Sequence, residues 1–132
     1  LRKKTLQTFA PDLKEGAPNS FEGRTMAYGD ITQLTGRSGA VHTFYISPKS
    51  VTFRAKPGVY VMAKDVGTNR YEFCYVGETA DMSVRPFAPE KLDCFNRFGV
   101  DSILHLEEFD ANKRKSTVSD LVQAYAPSCN TL

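Results

Sequence analysis

Charge of one sign is what this sequence has least of. Among 132 residues, 17 Lys and Arg stand against 15 Asp and Glu, a formal net charge of +2. So near-neutral a balance excludes a polycation that coats nucleic acid through charge alone. Long apolar runs are missing too. None approaches the roughly 18–20 residues of a membrane-spanning helix, which excludes an integral helical membrane protein. Cysteine is scarce: Cys74, Cys94 and Cys129 form an odd set without a close pair. That spacing predicts neither a disulfide scaffold nor a clustered zinc site, and it points to free, buried thiols in a reducing cytoplasm. Leu1–Ala10 carries basic residues with no apolar stretch behind them, so no secretory signal peptide is expected. What remains, 41% hydrophobic and 24% charged residues, is the composition of one ordinary globular domain.

The chain divides into an N-terminal arm, residues 1–40, and a domain, residues 41–132. Pro11, Gly16 and Pro18 punctuate an opening stretch with little periodicity, as in an arm laid over a domain. Val41–Ile46 is a β-branched and aromatic run that reads as a strand, ended by Pro48. Gly58–Lys64 and Tyr71–Gly77 are two further strands. The turn-rich Asp65–Asn69 between them predicts a β-hairpin. Alternation places Val59, Val61 and Ala63 on one face of its first strand and Tyr60 and Met62 on the other.

Beyond Gly77 the pattern turns helical. A short helix capped by Thr79 or Asp81 is expected to run to Arg85, where Pro86 stops it. Pro89-Glu90 opens a second helix, with Leu92, Phe95 and Phe98 on one face and Gly99 as its end. Ser102–Leu106 is a third core strand, expected to lie parallel to one hairpin strand because a helix intervenes. Thr117–Tyr125 is the last helix, with Leu121, Val122 and Tyr125 as its apolar stripe and Pro127 beyond it. The fold class is therefore α/β: a small three-stranded mixed sheet flanked by helices. The N-terminal extension, Val41–Ile46 included, adds a strand or covers one face.

Four blocks of this sequence, in order, resemble the GIY-YIG nuclease superfamily. Gly58-Val59-Tyr60 and Tyr75-Val76-Gly77 stand where that family carries its two name-giving tripeptides. Arg85 stands where it carries its arginine, and Pro127-Ser128-Cys129-Asn130 matches its terminal Pro-x-x-Asn. The resemblance spans Gly58–Asn130. It implies phosphodiester hydrolysis by an endonuclease with one bound divalent cation, Mg or Mn. On that pattern Tyr60 assists deprotonation of water and Tyr75 positions water or phosphate. Arg85 neutralises charge building on the phosphoryl oxygens. Asn130 fixes a loop or donates a hydrogen bond to the site, and Gly58 and Gly77 keep the hairpin open to close approach.

One position departs from the pattern. The family's metal-ligating glutamate falls, twelve residues before the terminal asparagine, on Val118, which offers no lone pair to a hard cation. Asp120 two residues on, Glu78 just after the second tripeptide, and Glu107 or Glu108 just after the third strand stand as candidate replacements. Asp120 has a competing duty in a loose capping box, Thr117-x-x-Asp120. His105 reads as a hydrogen-bonded scaffold residue. Lys91, Arg97, Lys113, Arg114 and Lys115 are the expected phosphate contacts along the rim, beside Arg85. Phe87 and Phe95 read as core.

The expected partner is nucleic acid, DNA first, with targeting supplied by a further domain or protein. Three functions follow from these residues. The first is an endonuclease with an impaired or rewired metal site. The second is a domain of that fold that binds nucleic acid without hydrolysing it. The third is a protein-interaction module on the same scaffold.

Overall fold

The computed structural model of the protein describes residues 28–130. Most of the expected arm, residues 1–27, lies outside the described residues. Five strands form one sheet: β1 (Ile31–Thr35), β2 (Val41–Pro48), β3 (Gly58–Gly67), β4 (Arg70–Thr79) and β5 (Ser102–Glu107). Their order is β1-β2-β5-β3-β4, and every neighbouring pair is antiparallel. The α/β class holds, but the three-stranded mixed sheet does not. The helix between β4 and β5 returns the chain so that β5 runs alongside β3, not beside β4, and the pairing is antiparallel. β1 falls inside the stretch read as an arm, and it is the outer strand of the sheet. It escaped notice because it is short and only Leu34 in it is buried.

The β3–β4 hairpin follows its sequence closely. β3 and β4 are joined through Thr68 and Asn69, both at positive φ (53° and 61°), the backbone that a tight hairpin turn of matching twist requires. The strands run longer than expected, to Gly67 and from Arg70. Between Met62 and Ala63 the register slips, because Met62 pairs with Tyr75 and Ala63 with Phe73. Cys74 is the extra residue of this bulge. Its insertion lets the consecutive side chains of Cys74 and Tyr75 enter the same core while Phe73 joins the other.

Two helices cover opposite faces of the sheet. α2 (Ala111–Tyr125) packs Leu121, Val118 and Val122 against Val59, Val61 and Val76. α1 (Leu92–Phe98) lays Phe95 over Tyr60, Met62 and Cys74 on the other side. Gly99 ends α1 at φ 86°, a left-handed position that glycine takes without steric penalty.

α2 begins six residues before the expected Thr117. Asp110 caps it by accepting hydrogen bonds from the Asn112 and Lys113 amides. The first turns were hidden because Asn112–Lys115 carries no apolar stripe. The helix expected between Thr79 and Arg85 is absent; that segment is a series of bends. Asp81 accepts from the Ser83 amide and hydroxyl, and the Thr79 hydroxyl donates to the Asp81 carbonyl and accepts from the Asp81 amide. Such local bonds offer the chain an alternative to a helical turn.

Cys94 of α1 and Cys129 form a disulfide across 35 positions of sequence. This corrects the expectation of three free thiols, and the inference of a reducing compartment loses its basis. The spacing was uninformative because the two residues meet only after α1 and the C-terminal turn fold over β4. Cys74 stays free and fully buried, 3.1 Å from the Cys129 sulfur. Burial pushes its thiol up to about 11, so it is protonated at neutral pH. Among the described residues no helix is long and apolar enough to cross a membrane.

Candidate functional site

Tyr60 and Tyr75 come together on the α1 side of the sheet. Their rings lie 6.2 Å apart, tilted by 33°. Gly77, opposite Tyr60 in the ladder, makes this possible. A Cβ at Gly77 meets the Tyr60 hydroxyl at 2.5 Å and the Tyr75 ring at 2.8 Å. The glycine of the second tripeptide thus makes room for the tyrosine of the first. Gly58 serves a different approach, since a side chain there collides with the Leu106 carbonyl of β5.

The environment of Tyr60 is apolar. It is 4% exposed and stacks on Phe87 at 4.3 Å and 21°. Burial raises its phenol strongly, with smaller contributions from Tyr75, Glu90 and Glu78. Tyr75, half-buried against Phe95, is raised by burial and then by Glu90. Both phenols are therefore neutral at physiological pH, and neither is a base by itself.

Arg85 stands at the rim. Its guanidinium lies over Phe87 at 4.6 Å and Phe53 at 5.9 Å. It donates to the Lys49 and Val51 carbonyls at 2.8 and 2.9 Å. Phe87 stands between Arg85 and Tyr60, touching both. The residue is exposed, and two of its five N–H donors are used by these bonds. Phe87 and Phe95 are buried, as expected. Phe53 was missed, because an isolated aromatic between Thr52 and Arg54 carries no periodic signal.

Asn130 is a clamp on the sheet edge. Its side chain accepts from the Val76 amide at 2.8 Å and donates to the Val76 carbonyl at 2.9 Å. β4 is an outer strand, and this amide pairs one residue of its open edge as a further strand would. These bonds tie the C-terminal turn to β4.

The basic residues do not form one rim. Arg97 is exposed on α1, whereas Lys113 and Lys115 are exposed at the start of α2 on the opposite side of the sheet. Lys91 precedes α1 in a single 3₁₀ turn. Arg114 faces inward: it is 7% exposed and pairs with Glu78 at 2.8 Å. It also donates to the Glu108 and Phe109 carbonyls. It is withdrawn from any phosphate at the surface.

The donor set does not suit the Mg or Mn that the resemblance implies. Val118 is partly buried against the aliphatic cluster under α2, across the sheet from Tyr60 and Tyr75. Asp120 is bound to the β1–β2 turn through the Ser38 amide, the Ser38 hydroxyl and His42. A Cβ at Gly36 runs into that carboxylate, so glycine is needed for the turn to approach it. Glu78 is held by Arg114, and Glu108 accepts from the Asp110 amide. Glu107 is exposed. Among the described residues no three His, Cys, Asp or Glu side chains are grouped to hold a metal ion.

His105 faces the same side as Tyr60, its cross-strand neighbour. Its ring nitrogen Nε2 is 2.8 Å from the Ser47 hydroxyl. Burial holds its imidazole below the ordinary histidine value, against a smaller push from Glu107. It is a scaffold residue in this setting, as its sequence predicted.

Comparison with family models, with curated proteins and with solved structures found no match. The GIY-YIG resemblance rests on the motif residues themselves.

Proposed function

We propose that this domain binds nucleic acid through the exposed side of Arg85 and does not hydrolyse it. The observation that carries this reading is how the motif residues are engaged. Tyr60 is buried and neutral, Asn130 holds an edge strand, and position 118 is an aliphatic residue packed against the core on the far side of the sheet. Arg85 keeps a charged group at the surface, seated on Phe87 and fixed by two backbone carbonyls. Such a guanidinium is preorganised, so a phosphate gains its hydrogen bonds without first immobilising a long side chain.

The test is fluorescence anisotropy with a labelled oligonucleotide at low salt. Arg85→Ala is expected to weaken binding by about tenfold, the scale of one lost phosphate contact. Arg85→Lys recovers only part of it, because an ammonium does not reproduce the flat stacked fork. Absent binding at low salt overturns the reading.

A second reading, a divalent-metal-dependent endonuclease, is favoured by one specific feature. Gly77 allows Tyr60 and Tyr75 to stand together, and the Tyr60 hydroxyl has no hydrogen-bond partner among the described residues. It predicts nicking of supercoiled DNA with Mg²⁺ or Mn²⁺ that disappears in Tyr60→Phe. The proposed function predicts intact plasmid under the same conditions.

A further inference from the structure

We infer that the nucleic acid is single-stranded, with an unpaired base stacked on Tyr45 and a backbone phosphate further along the same strand held by Arg85. The inference rests on the nucleic-acid reading above and adds the class of ligand. Its starting point is an asymmetry of the sheet. On the α2 side the β1–β2 hairpin is covered, with Leu34, Phe44 and Ile46 buried. α1 is only seven residues long and packs near β4, and it leaves the opposite side of the hairpin uncovered among the described residues. There Ile31 pairs with Tyr45 and Thr35 with Val41, and the three apolar members are 53–56% exposed.

Tyr45 connects this open surface to the candidate site. It pairs with His105 of β5, and their rings stack at 6.0 Å and 28°. His105 meets Phe53 edge-on at 4.6 Å, and Phe53 carries the Arg85 guanidinium at 5.9 Å. A continuous ledge of rings thus leads from an exposed tyrosine to an exposed arginine. The His105 ring is fixed by Ser47, so its neighbour Tyr45 rests on a rigid support. Lys49 and Arg54 are exposed on the loop beside Phe53. Glu107, two residues beyond His105 and on the same face, sets a negative boundary at the other side.

Duplex bases are stacked on one another and present only edges in the grooves. An exposed ring with one free face engages the face of a base, which only an unpaired nucleotide offers. The arginine supplies the charge-assisted phosphate bonds. Aromatic face and fixed cation together match a single strand better than a duplex, and a near-neutral protein needs the stacking contribution.

The experiment uses the full chain with three labelled probes of one length: oligo-dT, oligo-U and a DNA duplex. The expected result is tighter binding of one or both single strands than of the duplex. Tyr45→Ala weakens the single-strand affinity by about tenfold and leaves the duplex affinity unchanged, while Tyr45→Phe keeps it. Comparing oligo-dT with oligo-U distinguishes DNA from RNA. Tyr45 is exposed, so the variant remains folded, and circular dichroism verifies this. If Tyr45→Ala changes nothing, or weakens all three probes equally, the inference is overturned. So is it if the variant only dissolves a dimer seen by sedimentation. Loss through Arg85→Ala on every probe with no effect of Tyr45 removes this inference alone. No binding to any probe removes the nucleic-acid reading itself.

Discussion

Val59 and Tyr60 are consecutive in β3 and both are buried, yet they enter different surroundings. Val59 joins Val61, Ala63, Val76, Leu104 and Leu121 in a mainly aliphatic core under α2, with Phe44 buried among them. Tyr60 joins Met62, Cys74, Phe87 and Phe95 in a core of rings and sulfurs under α1. The fully buried members of the first core carry no polar side chain, and their packing depends on shape. The second holds a buried phenol, a free thiol and a disulfide, and it opens at its margin onto Arg85 and the aromatic ledge. Under the proposed function, the main packing and the binding surface fall on opposite faces of one sheet. The mutations below separate the two.

Leu121→Ala strikes the aliphatic side hardest. It removes a fully buried side chain, and unfolding in urea should show a loss of about 3–4 kcal/mol. Nucleic-acid affinity, measured where the variant is folded, should stay unchanged. Gly77→Ala acts on the other face, forcing a methyl against the Tyr60 hydroxyl and the Tyr75 ring. The expected loss is about 2–3 kcal/mol, smaller in a Tyr60→Leu background where the ring is gone. Additive losses in that double mutant would contradict the packing described.

Val118→Glu brings the comparison to the resemblance itself. If the two faces are separate, a carboxylate at position 118 is partly buried against aliphatic side chains and lowers stability by about 1–2 kcal/mol. It should produce no metal-dependent cleavage. New cleavage with Mg²⁺ would show that this position reaches the tyrosine pair after all.

The smallest effect expected is one of pH. Burial alone would raise the Asp120 carboxyl, but hydrogen bonds from His42 and Ser38 hold it below its ordinary value. Between the folded and unfolded values the unfolded chain therefore binds the extra proton. The stabilisation is complete above the unfolded pKa, about 3.9, and disappears as pH falls through the folded value. Asp120→Asn should flatten this acid limb in a plot of Tm against pH. An unchanged limb would mean that the β1–β2 turn is not held through Asp120.

Much of the aliphatic side was legible from the sequence because it follows one rule, alternation. Val59, Val61 and Ala63 were placed by it, and Leu121 and Val122 by helical spacing. On the ring-lined side Tyr60 and Met62 follow alternation and Phe95 helical spacing, but β4 does not keep the period. The Cys74 bulge breaks the alternation of β4, so Tyr75 reaches its place through a residue insertion that only the ladder reveals. The Cys94–Cys129 bridge, the Arg114–Glu78 pair and the Phe53–Arg85 stack each join elements far apart in the chain. None leaves a local mark. β1 and the first turns of α2 were overlooked for a related reason: both are polar segments whose position is set by partners, Leu34 in one and Arg114 in the other.

Arg85 is the residue on which the functional account depends most. The most direct test is the salt dependence of nucleic-acid affinity for the native chain and for Arg85→Ala. Each phosphate neutralised contributes close to one unit to the slope of log K against log salt. A guanidinium that holds a phosphate at the margin of the α1 face predicts a slope shallower by about 1 in Arg85→Ala, with weaker binding at every salt concentration. Two superimposable lines would contradict it.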